Sequence, residues 1–267
     1  YKLTFNNNVQ EHVDHAQVKA YNTFRSIGIP APRAHSMLLR FGPSEEQLNA
    51  YLEYTQVEEI DEVEFLGAHA LDGASVFELD YWDTKKNKDP INQTDIDSGP
   101  TTFKLGPAKK SEASVMDLQR VFAAGASLKD TWSVINQTNF FLWYAGLLAT
   151  NHQDSGCTAP YFNNMYVVRP YFSELYMFVP WGTDNTMRCP PRVFGVYMPS
   201  AELATCNPMI SCFKNRQCSN EYRTIAKDTP KLCGTEHSFL YANITLLGII
   251  LGGKLLHVIK KHYAATS

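Results

Sequence analysis

A chain of 267 residues with 44% hydrophobic and 19% charged residues and a net charge of −3 is long and apolar enough to bury a full core. That balance excludes a disordered segment and a strongly basic nucleic-acid binder, so no nucleic-acid partner is expected. Length alone suggests one large domain or two packed lobes.

Tyr1 to Asn6 alternates as a strand does, with Lys2 beside Leu3. Asp14 to Ile27 reads as a helix: Val18, Tyr21, Phe24 and Ile27 step by three along one face, Asp14 suits the first turn, and Gly28 ends it. Pro30 and Pro32 forbid its continuation. Strands follow at Ala34 to Phe41 and Ala50 to Val57, separated by the turn-forming Gly42-Pro43-Ser44. From Asp83 to Glu112 the composition turns to Lys, Asn, Asp, Pro, Gly and Thr, a surface excursion with one strand at Phe103 to Leu105.

Ser114 to Ala124 and Leu128 to Thr150 read as helices. The second carries Trp132, Ile135, Phe140, Phe141, Trp143, Leu147 and Leu148, and a helix that apolar belongs in a core. After a polar loop, Met165 to Tyr171 and Glu174 to Val179 form a hairpin that runs into Pro180-Trp181-Gly182-Thr183-Asp184-Asn185. The tail from Phe239 to Ile259 is the one membrane candidate. Lys254 interrupts its uncharged run before the length of a span is reached, which favours a buried helix.

All six cysteines lie between Cys157 and Cys233, and Cys206, Cys212 and Cys218 recur with five residues between neighbours. Zinc sites pair cysteines two to four residues apart, so at least two disulfides are the better expectation. Three sequons, Asn92-Gln-Thr94, Asn136-Gln-Thr138 and Asn243-Ile-Thr245, are compatible with a secretory route. The chain opens at Tyr1 without methionine or a signal-like stretch, as expected of a processed product or a domain of a longer protein. Secretion or display at the cell surface is the expected location.

Polar groups flank the hairpin: His152 and Asp154 before it, Asn163 and Asn164 at its start, Asp184 and Asn185 at its end. A hairpin brings its two ends together, so these groups offer oxygen ligands to a hard cation such as Mg²⁺. Phosphoryl transfer needs such a set, with one aspartate orienting the attacking hydroxyl and others holding metal against the phosphates. Loop Asp and Asn residues that only make turns are the alternative.

Five blocks carry a resemblance. Phe24-Arg25-Ser26-Ile27-Gly28-Ile29-Pro30-Ala31-Pro32-Arg33-Ala34, Tyr54 to Glu58 with Ile60-Asp61 and Phe65-Leu66, Asn163-Asn164-Met165-Tyr166, Val179-Pro180-Trp181 and Asp184-Asn185-Thr186 follow one another within residues 1 to 187. In that order they resemble the spore coat protein H (CotH) family, atypical protein kinases of bacterial spore coats with secreted or surface-exposed eukaryotic relatives. The resemblance implies an α+β, two-lobed protein-kinase-like fold: residues 1–82 as N-lobe and hinge, 83–111 as a loop-rich connection, and 112–267 as a mainly helical C-lobe. The cysteine-rich segment 189–233 is then a disulfide-rich insertion in that lobe.

The same resemblance implies the roles. Lys2 contacts the nucleotide phosphates, Gln17 falls near the helix acid that pairs with it, with Glu11 the alternative if the helix starts earlier, and Glu58 to Asp61 connect the lobes where adenine binds. Asp154 is the catalytic base, His152-Gln153-Asp154 echoing the kinase H-R-D triplet, and Asn163, Asn164 and Asp184 hold metal. ATP with Mg²⁺ or Mn²⁺ is the implied cofactor and a protein substrate or surface receptor the implied partner. Any membrane association runs through regions outside this chain or weakly through the C-terminal helix. Gly182 stands where the family has its metal-binding aspartate, and Gly182→Asp is expected to strengthen metal-dependent nucleotide binding or raise phosphoryl transfer. A catalytically inactive pseudokinase used for surface adhesion or recognition, and an unrelated secreted disulfide-stabilised protein, remain the alternatives.

Overall fold

The computed structural model describes residues 3–8, 15–44, 51–60, 62–79, 82–83, 103–105, 126–152, 155–157, 161–162, 164–187 and 206–229. Within them the chain is mixed α+β, with small antiparallel sheets and helices packed on their faces. The expected helix at Ser114 to Ala124 and the C-terminal apolar tail lie outside the described residues.

The first sheet has the order β1-β3-β2, from β1 (Leu3–Asn6), β2 (Ala34–Leu39) and β3 (Leu52–Glu58). Helix α1 (Ala16–Ser26) stops as its sequence says it should: Gly28 takes a left-handed φ of 84°, which glycine adopts without strain. Its inner face buries Ala20, Tyr21 and Phe24. Val57 pairs with Thr4 on one side and Ala34 on the other, and Val57 and Ala34 join Tyr21 and Phe24 in one apolar cluster. Side chains alternate across a strand, so Phe5 and Leu52 emerge on the opposite face, 47% and 49% exposed.

The second sheet has the order β6-β4-β8-β9, from β4 (Ser75–Leu79), β6 (Phe103–Leu105), β8 (Met165–Arg169) and β9 (Met177–Pro180). A two-stranded ribbon pairs β5 (Trp82–Asp83) with β7 (Tyr161–Phe162). Strand β8 is buried on both faces, which explains its unbroken apolar run. Met165 and Val167 belong to the large aromatic cluster, while Tyr166 and Val168 pack with Phe65 and Leu66 of α2 (Val63–Ala68).

The apolar stretch Leu128 to Thr150 is two helices, not one: α3 (Leu128–Val134) and α4 (Gln137–Ala149). The break has a tertiary cause. Ile135 turns extended to bridge Tyr176, with Tyr176 N–H donating to Val134 O at 2.8 Å and Asn136 N–H to Tyr176 O at 2.8 Å. Asn136 then caps α4 by accepting from Asn139 N–H at 3.0 Å. Asn139 in turn serves the backbone of the edge strand β9, accepting from Phe178 N–H at 2.6 Å and donating to Phe178 O at 3.3 Å. The rest of α4 is core: Phe140, Phe141, Trp143, Tyr144 and Leu147 are fully buried.

The cysteine-rich segment contributes two helices that its composition did not announce, α5 (Asn207–Lys214) and α6 (Arg216–Ala226). Disulfides Cys157–Cys206 and Cys212–Cys218 fulfil the expectation of at least two. The first ties the segment after α4 to the start of α5; the second spans the corner at Asn215, whose side chain caps α6 by accepting from Cys218 N–H at 3.0 Å. Tyr222 of α6 then meets Phe141 edge-on, centroids 5.4 Å apart. No helix of the described residues is long and apolar enough to cross a membrane.

Candidate functional site

The hairpin β8–β9 does bring its ends together. Trp181 N–H donates to Asn164 O at 3.2 Å, and Ser155 Oγ donates to the same carbonyl at 3.3 Å. Asn164 has a left-handed φ of 53° and Gly182 one of 54°. A Cβ on Gly182 would stand 2.3 Å from Asn164 Oδ1. The amide of Asn164 therefore fills the space that a side chain at 182 would need. Gly182→Asp, expected to strengthen nucleotide binding, therefore requires the Asn164 amide to shift and an aspartate to take a left-handed φ.

Beyond Gly182, Thr183–Asn185 form a turn of 3-10 helix that carries Asp184, half-buried, against α1. The contact is close: the buried Tyr21 side chain lies against Gly182 and Thr183, and burial drives its pKa well above the usual tyrosine range. Asp184 adds to that rise, its negative charge opposing a second one nearby. Asn185 Oδ1 is buried and has no hydrogen-bond partner among the described residues. An acceptor left so beside a carboxylate suits a hard cation, and Asn164, Asp184 and Asn185 together are an all-oxygen donor set. Among the described residues no cluster of three acidic, histidine or cysteine side chains forms a metal site, so amide oxygens would have to complete one.

His152, at the end of α4, is buried and its Nε2 lies 3.2 Å from Trp181 O. The segment is fixed again where Met187 N–H donates to Thr150 O at 2.7 Å. The loop that leads toward Asp154 and the turn that carries Asp184 are thus joined by backbone contacts. Asp154 itself, with Lys2, Asp61 and Asn163, lies outside the described residues.

The remaining expected residues fall elsewhere. Gln17 lies on the inner face of α1, 1% exposed, its Nε2 donating to Asn8 Oδ1 at 3.3 Å. Glu58 ends β3 with its carboxylate held by Arg33, accepting from the Arg33 backbone N–H at 3.0 Å and from Nη2 at 2.5 Å. Burial pushes the Glu58 pKa up, but the Arg33 hydrogen bonds and charge outweigh it and hold the group below its ordinary range. His69 nearby is shifted down, chiefly by burial.

Two residues were missed by sequence reasoning. Tyr21 looks like one more apolar position of α1, and nothing local tells that its side chain packs against the acid turn. Glu59 is 5% exposed and accepts a hydrogen bond from the Thr4 hydroxyl, which sets a buried carboxylate beside β1, the strand that Lys2 precedes. No protein-family profile and no curated protein matches the chain.

Proposed function

We propose that this chain is a CotH-like, two-lobed kinase-type domain that binds ATP with Mg²⁺ or Mn²⁺ and transfers the γ-phosphoryl group to protein hydroxyls. The observation that carries the reading is the packing of α1 on the turn Thr183–Asn185, directly after a hairpin whose first residue, Asn164, abuts Gly182. Kinase chemistry couples a helix in the small lobe to the metal-binding acid after such a hairpin. The chain order also agrees: strand β1, helix α1, helix α4 with a buried His152 just after it, a hairpin, then an acid. In this reading Asp184, with Asn164 and Asn185, holds the metal, Asp154 orients the attacking hydroxyl, Lys2 meets the phosphates, and Glu59 is a candidate for a charge near it. The bound metal would supply charge neutralisation at the phosphates. The two disulfides favour an oxidising compartment, secreted or at the cell surface.

A second reading has its own observation. The chain carries Gly182 where the family has an acid, and the Asn164 side chain lies in the adjoining space, which favours a pseudokinase used for surface recognition. Calorimetry with ATP and either metal separates these. Metal-dependent binding that Asp184→Asn abolishes, with phosphotransfer lost in Asp154→Asn while nucleotide affinity persists, supports the kinase. Binding without transfer in the wild type supports the pseudokinase. No binding with either metal removes the nucleotide from the account.

A further inference from the structure

We propose that Asn136 is an N-linked glycosylation site of the folded protein. Of the three sequons it is the one whose asparagine lies among the described residues, and its surroundings sort the chemistry atom by atom. Both backbone groups are engaged: N–H donates to Tyr176 O at 2.8 Å, and the carbonyl accepts from Phe140 N–H at 2.9 Å. Oδ1 accepts from Asn139 N–H at 3.0 Å as the cap of α4. Nδ2 has no hydrogen-bond partner among the described residues, the side chain is partly exposed, and Thr138 is exposed.

Glycosylation touches only Nδ2. That nitrogen forms a bond to the anomeric carbon of a lipid-linked oligosaccharyl diphosphate. The carbon–oxygen bond to the diphosphate breaks, the diphosphate leaves with the electron pair, and one amide proton passes to a base. Oδ1 stays a carbonyl oxygen, so the cap survives modification. Asn139, three residues on, shows the opposite case: buried, with both amide atoms tied to Phe178. The junction of α3 and α4 is extended at Asn136 (φ −66°, ψ 103°), so the glycan leaves from a corner, not from a helix face. The proposal rests on passage through a secretory compartment and not on the kinase reading.

The full chain behind a cleavable leader, translated into endoplasmic-reticulum microsomes, tests it. Thr138→Ala is expected to lose one glycan increment of gel mobility relative to wild type. Equal mobility of the two overturns the proposal, and because the transfer accompanies synthesis this outcome does not depend on folding. On the secreted, oxidised protein, a peptide N-glycosidase used without denaturant should release the glycan and leave Asp at position 136. A glycan released only after denaturation overturns its placement on an exposed corner. Asn136→Asp, which keeps the cap oxygen, should melt with the enzymatically deglycosylated wild type, while Asn136→Ala melts lower. Equal melting of the Ala and Asp variants would overturn the cap argument.

Discussion

The two sheets use the same kinds of side chain differently. In the second, β8 is covered on both faces, and Phe178 of β9 stacks with Phe140 and Trp143 at centroid distances of 4.9 and 5.0 Å. In the first, Val57 and Ala34 point to the common core while Phe5, Phe41 and Leu52 stand about half exposed on the other face. Burial removes apolar surface from water and gains dense contacts, so the second sheet with α4 carries the stability. The first sheet is held through α1, and α1 through its contact with α4, where Phe24 packs against Gly146.

The difference is open to test. The largest effect is expected in the aromatic layer: Phe140→Ala or Trp143→Ala should lower unfolding stability by about 3 to 5 kcal/mol in denaturant titration. A smaller loss would break the comparison. Next, removing the Cys157–Cys206 crosslink as a double serine variant should cost about 4 kcal/mol, and removing Cys212–Cys218 about 2 kcal/mol, because the chain-entropy term grows with the loop closed, 49 residues against 6. Equal losses would mean that strain or packing, not loop closure, sets their worth.

Gly146→Ala sharpens the account of how the first sheet is attached. A Cβ there would meet Phe24 Cε1 at 2.3 Å, so about 1 to 3 kcal/mol of overpacking is expected, with earlier proteolysis of the α1 and first-sheet region than of α4. The charged end of β3 gives a weaker signal. Because Glu58 is held below its unfolded pKa of about 4.3, its contribution is present above that value and is lost as pH falls through the lower folded one. Glu58→Gln should cost under about 1 kcal/mol at pH 7, since Arg33 is largely exposed, and should remove that part of the acid sensitivity. Last, Phe5→Ala or Leu52→Ala should stay within about 0.5 kcal/mol. A larger change would show that this face is covered in the folded protein.

Much of this was readable residue by residue. The start of β1, the span of α1, the strands β2, β3 and β6 and the hairpin fall within a few residues of the sequence reading, because each rests on local period or on Gly and Pro stops. The near approach of Asn164 to the Gly182 turn followed from the hairpin alone. What escaped was β4: its five residues pair Ser75 with Arg169 and Leu79 with Met165, and no signal in Ser75–Leu79 names a partner some ninety positions away. Helices α5 and α6 escaped because the cysteines drew attention to crosslinking, although Pro208 at a helix start and Asn215 as a cap were visible signs.

The sequence by itself determined the α+β alphabet, the apolar segments that must be inside, the cysteines close enough in number and spacing to crosslink, and the polar groups at the two ends of one hairpin. These depend on side-chain chemistry and on steps of two or three to four residues along the chain. Tertiary structure decided the rest: that Tyr176 breaks an apolar stretch into α3 and α4, that Tyr21 of α1 packs against the Asp184 turn, and that Asn164 occupies the space a side chain at 182 would enter. Each is a contact between segments distant in sequence. Backbone donors and acceptors must find partners somewhere, and close packing lets one side chain stand where another cannot, but neither constraint can be resolved until both segments are in place.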